Sequence, residues 1–227
     1  MALDSDTGLR KATAEEPLRC AVLLSGSGSG MEALVRVQRS KQLHHQTVLV
    51  ISNKPDAYGL VRAEELNVDH AVVEQTRNGI QLSREEHEAA VIELLQLHDI
   101  ELVVLAGYMR LLSSSFVQRF EHRIVNIHPS LLPNFPGAHA HRDVLNSGAT
   151  MTGCTVHFVD EGMDTGARLA QATTPVFGDD TEASLASRVK IEEHRLYPEV
   201  LTWIAAGRVR FTSQGVEVEG VEDRLVC

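Results

Sequence analysis

Cysteine, aromatic side chains, basic charge and long apolar runs are all scarce in this chain. Its three cysteines, Cys20, Cys154 and Cys227, are odd in number, widely spaced and free of any C-x-x-C pattern. Neither a disulfide framework nor a zinc site is indicated, and a reducing cytoplasm is the simplest setting. Lysine and arginine number 21 against 31 acidic residues, a net charge of −10. A general nucleic-acid binder needs a basic face, so that class is disfavoured and any anionic ligand has to be held locally. The longest clean apolar run, Leu102 to Met109, is too short to span a bilayer, and residues 1–17 lack the apolar stretch of a signal peptide. No membrane partner is expected.

What is present is ordinary globular material: 227 residues, 43% hydrophobic and 23% charged, enough for one well-buried domain. Apolar runs at Leu18–Leu24, Thr47–Ile51, His70–Val73, Leu102–Ala106 and Ile124–Ile127 alternate with helical patterns at 29–40, 59–67, 83–98 and 114–121. That rhythm predicts βαβ units and a doubly wound, mainly parallel α/β sheet. After residue 150 the pattern changes to two extended segments, 151–159 and 168–177, a long helix over about 181–205, and a short pair around Ser213-Gln214-Gly215. These predict antiparallel additions that complete the same sheet. Residues 1–17 read as a flexible extension and 18–227 as a single domain.

Asn126 and His128 follow an apolar approach at i and i+2. On a strand both point to one face, about 6.6 Å apart, so both can reach one substrate atom. Pro129 cannot donate to a sheet ladder and ends the strand there, at a carboxyl end, where open α/β sheets bind ligands. Asp164-Thr165-Gly166 is an ordinary turn signal, raised in interest by its combination with that pair. An amide, an imidazole and a carboxylate suit an acyl-type transfer. Ser25-Gly26-Ser27-Gly28-Ser29-Gly30 follows the first strand and opens the first helix, where free backbone N–H groups and the helix dipole attract an anion. Gly28-x-Gly30-x-x-Ala33 also meets the dinucleotide fingerprint, but Ile51-Ser52-Asn53-Lys54 supplies no acid at the end of the second strand, which weakens that reading. His139 and His141 are spaced like a ligand pair, but no acidic or cysteine partner stands at metal spacing nearby, so no metal is expected.

Taken together, Ser25 to Ser29, Ser52-Asn53-Lys54, Leu105 to Arg110, the block from Asn126 to Gly137 and the stretch from Gly153 to Gly166 closely resemble the phosphoribosylglycinamide formyltransferases. This is a folate-dependent family of purine synthesis, and the resemblance runs from about residue 18 to about 206. It implies a Rossmann-like formyltransferase fold, 10-formyltetrahydrofolate as donor and co-substrate, and glycinamide ribonucleotide as acceptor, on the way to IMP. It places Asn126, His128 and Asp164 at the catalytic positions and Gly28, Ser29 and Gly30 at the substrate phosphate. Gly107, Met109, Lys190 and Glu193 fall on the ribonucleotide side. Arg84, Arg110, Leu111, Leu112, Val117, Asp160 and Met163 fall on the folate side, which Met109 also borders. One departure is Gly30, where the family usually has Asn.

The implied chemistry is direct attack of the substrate amine on the formyl carbon, with Asn126 and His128 stabilising the oxyanion and Asp164 orienting His128 and relaying a proton through water. The implied partners are small molecules only, for a monomer or homodimer in the cytoplasm. Close rivals using the same three residues are methionyl-tRNA formyltransferase and the formyltetrahydrofolate hydrolase, both expected to be longer. A dinucleotide-dependent oxidoreductase explains the glycine loop but leaves Asn126, His128 and Asp164 idle. A non-catalytic sensor would not need all three.

Overall fold

A computed structural model describes residues 6–213, 215–221 and 225–226. In chain order the elements are β1 (Leu18–Leu24), α1 (Ser29–Lys41), β2 (His45–Ser52), α2 (Tyr58–Glu65), β3 (Asp69–Val72), β4 (Thr76–Arg77), β5 (Ile80–Gln81), α3 (Arg84–Leu97) and β6 (Leu102–Leu105). They continue with α4 (Ser114–Arg119), β7 (Ile124–His128), α5 (Ala140–Ser147), β8 (Met151–Phe158), β9 (Arg168–Pro175), α6 (Glu182–Ala205), β10 (Val209–Thr212), β11 (Gly215–Val218) and β12 (Leu225–Val226).

Alternation along β1 explains the layering. Leu18, Cys20, Val22 and Leu24 join one apolar cluster with α1, α2 and α6, while Ala21 and Leu23 join a second with α3 and α4. A strand buried on both faces needs helices on both faces, which is the doubly wound arrangement. The main sheet runs β12-β9-β8-β7-β6-β1-β2-β3. It is parallel from β7 to β3 and antiparallel at β7–β8 and β8–β9, as the change of pattern after residue 150 predicts. Tyr197 on α6 clamps that helix to the sheet: its hydroxyl lies 2.9 Å from the Leu105 carbonyl and 3.0 Å from the Val125 carbonyl.

The periodicity reading misses α5 and, because two-residue strands show no period, β12 and the β4–β5 hairpin. The turn residues of that hairpin, Asn78 and Gly79, both have positive φ, 52° and 76°, the requirement of a two-residue turn that an Asn-Gly pair meets.

The expected flexible extension needs correction for its described part. Leu9 and Ala12 are buried in the first cluster, the Ala12 amide bonds the Ala205 carbonyl at 2.8 Å, and Arg10 forks onto Glu101 at 2.7 and 2.9 Å. Two small apolar residues and a bidentate ion pair suffice to dock residues 6–17, a pattern too short to register as an element. Residues 1–5 of that extension, and Gln214 of the expected C-terminal pair, lie outside the described residues. Among the described residues no helix is long and apolar enough to cross a membrane.

Candidate active site

β7 ends at His128, with Pro129 next, and its side chains alternate: Val125 joins the first cluster and Ile124 the second. Asn126 and His128 therefore continue the Ile124 face, as their spacing predicts. His128 is buried, and its Nε2 lies 2.8 Å from the Phe135 carbonyl. A carbonyl only accepts, so Nε2 carries a proton and Nδ1 is the nitrogen left for chemistry. The accepting carbonyl belongs to a loop pinned from several sides. Ser130 Oγ donates to the Asn134 carbonyl at 2.6 Å, and the Leu132 amide donates to Thr155 Oγ1 at 3.0 Å. Arg168 and Gln171 both donate to the Leu132 carbonyl at 2.8 Å.

Asp164 faces Nδ1 of His128, with Oδ2 at 3.4 Å. That is longer than a good hydrogen bond, so the ring is anchored first by Phe135 and its Nδ1 stays available to the cleft. The carboxylate is held independently, since its Oδ2 accepts the Gly137 amide at 2.8 Å. Asp164 adopts φ 56°, a left-handed conformation that Asp tolerates better than most residues. Asp160 braces the turn that carries it, accepting the Gly162 amide at 3.1 Å and the Thr165 hydroxyl at 2.8 Å.

A fourth polar residue, absent from the sequence reading, completes this group. His157 sits directly across the β7–β8 ladder from Asn126, its Nε2 3.2 Å from Asn126 Nδ2 and 3.7 Å from Asp164 Oδ1. Its Nδ1 meets the Phe158 carbonyl at 2.7 Å, so Nδ1 bears the proton and Nε2 accepts from the amide. Burial pushes the imidazole below its usual range, opposed by the Phe158 bond and by Asp164, which keeps the ring neutral. One amide proton of Asn126 is thereby committed and the amide is oriented, with a second proton to spare. The available signal was a histidine inside the otherwise uncharged run Met151–Phe158.

Two cavities meet at this group. The larger, 460 Å³, reaches from Asn126, His128 and Asp164 to the glycine loop and α6. The smaller, 160 Å³, runs from Asn126, His157 and Asp164 to Arg84 and Asp160.

At the glycine-loop end, Gly28 caps α1 with φ 71°. A Cβ there would come 2.4 Å from Gly59 Cα, so glycine is needed both for the left-handed backbone and for the approach of α2. Gly30 differs: a Cβ would meet nothing nearer than Ala106 Cβ at 3.9 Å, and its absence leaves space in the cleft. Ser29, Gly107, Met109, Lys190 and Glu193 line the same cavity. Withdrawal from water pushes the Glu193 carboxyl up to about 7, with Lys190 opposing. His141 and His194 line it too, each with one buried ring nitrogen lacking a protein partner, Nδ1 and Nε2 respectively. Burial lowers the pKa of both rings. The sequence reading weighed His141 only as half of a metal pair and passed over His194. Among the described residues no three His, Cys, Asp or Glu side chains gather as metal ligands do.

The other end is built from loops and the start of α3. Arg84, Arg110, Leu111, Leu112, Asp160 and Met163 line the smaller cavity, and Arg110 Nε is buried there without a partner. Leu111 and Met163 there, and Met109 on the larger cavity, are each more than half exposed, an apolar rim of the kind that marks a binding site. Val117 is not brought to the cleft. It lies on the inward face of α4, buried with Phe116 and Phe120 in the second apolar cluster, where an apolar residue on a short amphipathic helix belongs.

Known proteins resemble this chain in both sequence and fold. The formyl transferase family model matches residues 18–201. The phosphoribosylglycinamide formyltransferase of Escherichia coli (strain K12) is 37% identical over 204 residues, covering 89% of this chain and 94% of the bacterial protein. The trifunctional purine biosynthetic protein adenosine-3 of Gallus gallus is 43% identical over 198 residues, and this chain spans only 19% of its length. Among solved structures, glycinamide ribonucleotide transformylase 1 from Symbiobacterium toebii superposes with a TM-score of 0.85 at 41% identity, covering 89% of this chain and 94% of that one.

Proposed function

This chain belongs to the formyl transferase family, among the phosphoribosylglycinamide formyltransferases, and from that premise we propose that its cleft passes a formyl group from 10-formyltetrahydrofolate to the amine of glycinamide ribonucleotide. The observation that carries this reading is the junction of two cavities at Asn126 and Asp164, with His128 beside them on the larger one. A two-substrate transfer needs a donor site and an acceptor site that share one reacting centre, and this one presents an amide N–H and an imidazole nitrogen there.

In the proposed reaction the ribonucleotide lies along the 460 Å³ cavity, its phosphate at the amides of Gly28 to Gly30 and the start of α1, with Lys190 adding a cation from α6. Glu193 accepts from ribose hydroxyls. The folate lies toward Arg84 and Arg110, its ring among Leu111, Leu112 and Met163. The amine attacks the formyl carbon, and the carbonyl oxygen, gaining negative charge, takes hydrogen bonds from the free N–H of Asn126 and, with the ring doubly protonated, from Nδ1–H of His128. A new C–N bond forms as the bond from carbon to the folate nitrogen breaks. One proton travels from the amine to that leaving nitrogen, with the Asp164 carboxylate holding the water that relays it. No covalent enzyme intermediate is needed. The reading has the protein acting on small molecules alone, in the cytoplasm, as a monomer or homodimer.

The test is to mix purified protein with 10-formyltetrahydrofolate and glycinamide ribonucleotide and follow deformylated folate and formylated ribonucleotide together. Equal amounts of the two products are expected. Release of deformylated folate without the ribonucleotide would make the protein a hydrolase, and tight NAD binding without response to the ribonucleotide would make the glycine loop a dinucleotide site.

A further inference from the structure

Ser52-Asn53-Lys54, at the end of β2, has no part in the chemistry above, yet it is firmly built. Ser52 Oγ donates to the Lys54 carbonyl at 2.9 Å and accepts the Lys54 amide at 3.0 Å, a tight turn that presents Asn53. The Asn53 side chain is 4% exposed, and its Oδ1 accepts from Ser25 Oγ at 2.6 Å. Ser25 Oγ in turn accepts the Met109 amide at 2.8 Å. A hydroxyl has one proton and two lone pairs. Because Asn53 takes the proton, a lone pair is held toward Met109. Without Asn53 the hydroxyl could turn its proton toward the amide, where two donors would oppose each other.

We propose that Asn53 and Ser25 are positioning residues that fix the loop from Ala106 to Leu112, and with it the two ends of the cleft, against the glycine loop. The proposal rests on the functional reading above. Ser25 opens the glycine loop and its own amide bonds the Gly107 carbonyl at 3.0 Å, so backbone and side chain of one residue tie the acceptor end to the loop that carries Met109, Arg110 and Leu111. The backbone tie closes the base of that loop and the side-chain tie reaches two residues further, toward Arg110. All three partners are at strand ends of the parallel sheet, β1, β2 and β6, so the relay runs across its carboxyl edge. Asn53 Nδ2 is buried with no protein partner, so the oxygen alone does the work.

The test uses Ser25→Ala, Asn53→Ala, their double variant and Asn53→Asp in the full chain. Each alanine variant should raise the KM for 10-formyltetrahydrofolate about tenfold, the size expected for one lost hydrogen bond, with kcat within about twofold. The double variant should be no worse than either single, because both break one relay. Asn53→Asp keeps the accepting oxygen and should hold the folate KM near wild type, an outcome no general loss of stability would produce. Should Ser25→Ala not fold, Asn53→Ala and Asn53→Asp carry the same comparison. Hydrogen exchange at the Met109 amide separates this proposal from the assignment of function. Exchange should accelerate in the alanine variants and not in Asn53→Asp, whatever the cleft binds. An unchanged folate KM, multiplicative single effects in the double, or an unaltered Met109 exchange rate would each overturn the relay.

Discussion

The two ends of the cleft are made of different materials. At the proposed ribonucleotide end the principal groups are backbone amides at the start of α1, placed by Gly28 at φ 71° against Gly59, and the fold itself determines where they point. At the proposed folate end the groups are side chains, Arg84 at the start of α3 and Arg110, Leu111 and Met163 on loops, and their convergence depends on contacts distant in sequence. The first construction suits an anion held in a fixed cradle and tolerates little change in shape. The second suits a larger, mixed ligand and can be altered one side chain at a time.

The sharpest way to break the distinction is at the junction, which serves both ends. His128→Ala and Asn126→Ala should each lower kcat by about 10²-fold or more, because each removes a donor aimed at the developing oxyanion. Both KM values should change little. Steady-state kinetics at saturating substrates checks this, and near-wild-type turnover in either variant would remove it from the catalytic set. His157→Ala should act through Asn126 and cost less, since the amide survives while losing the acceptor 3.2 Å away.

At the folate end Arg110→Ala should raise the folate KM roughly tenfold to a hundredfold, the range for a hydrogen bond to a charged group, and leave the ribonucleotide KM within about twofold. The buried Nε of Arg110 without a protein partner motivates this, as a guanidinium so placed is waiting for an anion or a carbonyl. Equal effects on the two constants would mean that the ends are not separable there.

The same division explains what could be read from the sequence. Gly28 and Gly30 announce an anion cradle because glycine spacing between a strand and a helix is a local pattern, and Asn126 and His128 announce a shared face because a strand has period two. The sheet itself was legible for that reason, down to the antiparallel turn after residue 150. His157 was not, because it becomes functional only through the register that sets it opposite Asn126. The Phe135 carbonyl was equally hidden, since no sequence pattern records which backbone oxygen a loop will present to Nε2. Val117 went the other way: the resemblance placed it with the folate contacts, and the inward face of α4 claims it for the core.

A change confined to the ribonucleotide end is Gly28→Ala. The added Cβ would sit 2.4 Å from Gly59 Cα, and the left-handed backbone alone costs about 1–2 kcal/mol for a residue other than glycine. Melting should fall by about 2–8 °C for a chain of this size, and the ribonucleotide KM should rise several-fold while the folate KM stays put. Thermal denaturation beside the two constants tests it, and a folate KM that moved in step would contradict the independence of the ends.

The smallest expected effect is also the one with a sign to check. Burial lifts the Glu193 carboxyl to about 7, with Lys190 pulling it down, so near neutrality it passes between a carboxylate that accepts from ribose hydroxyls and an acid that accepts less well. The ribonucleotide KM should therefore rise a few-fold as pH falls from about 8 to about 6. Glu193→Gln, neutral throughout, should lose that part of the dependence and keep only what the substrate phosphate contributes, its second proton also leaving near pH 6. Stability should move the opposite way. A carboxyl whose folded pKa is raised favours the folded state fully below its ordinary value of 4.5, and that contribution is lost as pH rises through about 7. The Gln variant should therefore gain melting temperature relative to wild type at pH 8 and not at pH 4. If the two proteins keep the same difference at both pH values, Glu193 is not the titrating group, and the pH dependence of the ribonucleotide KM belongs to His141, His194 or the substrate.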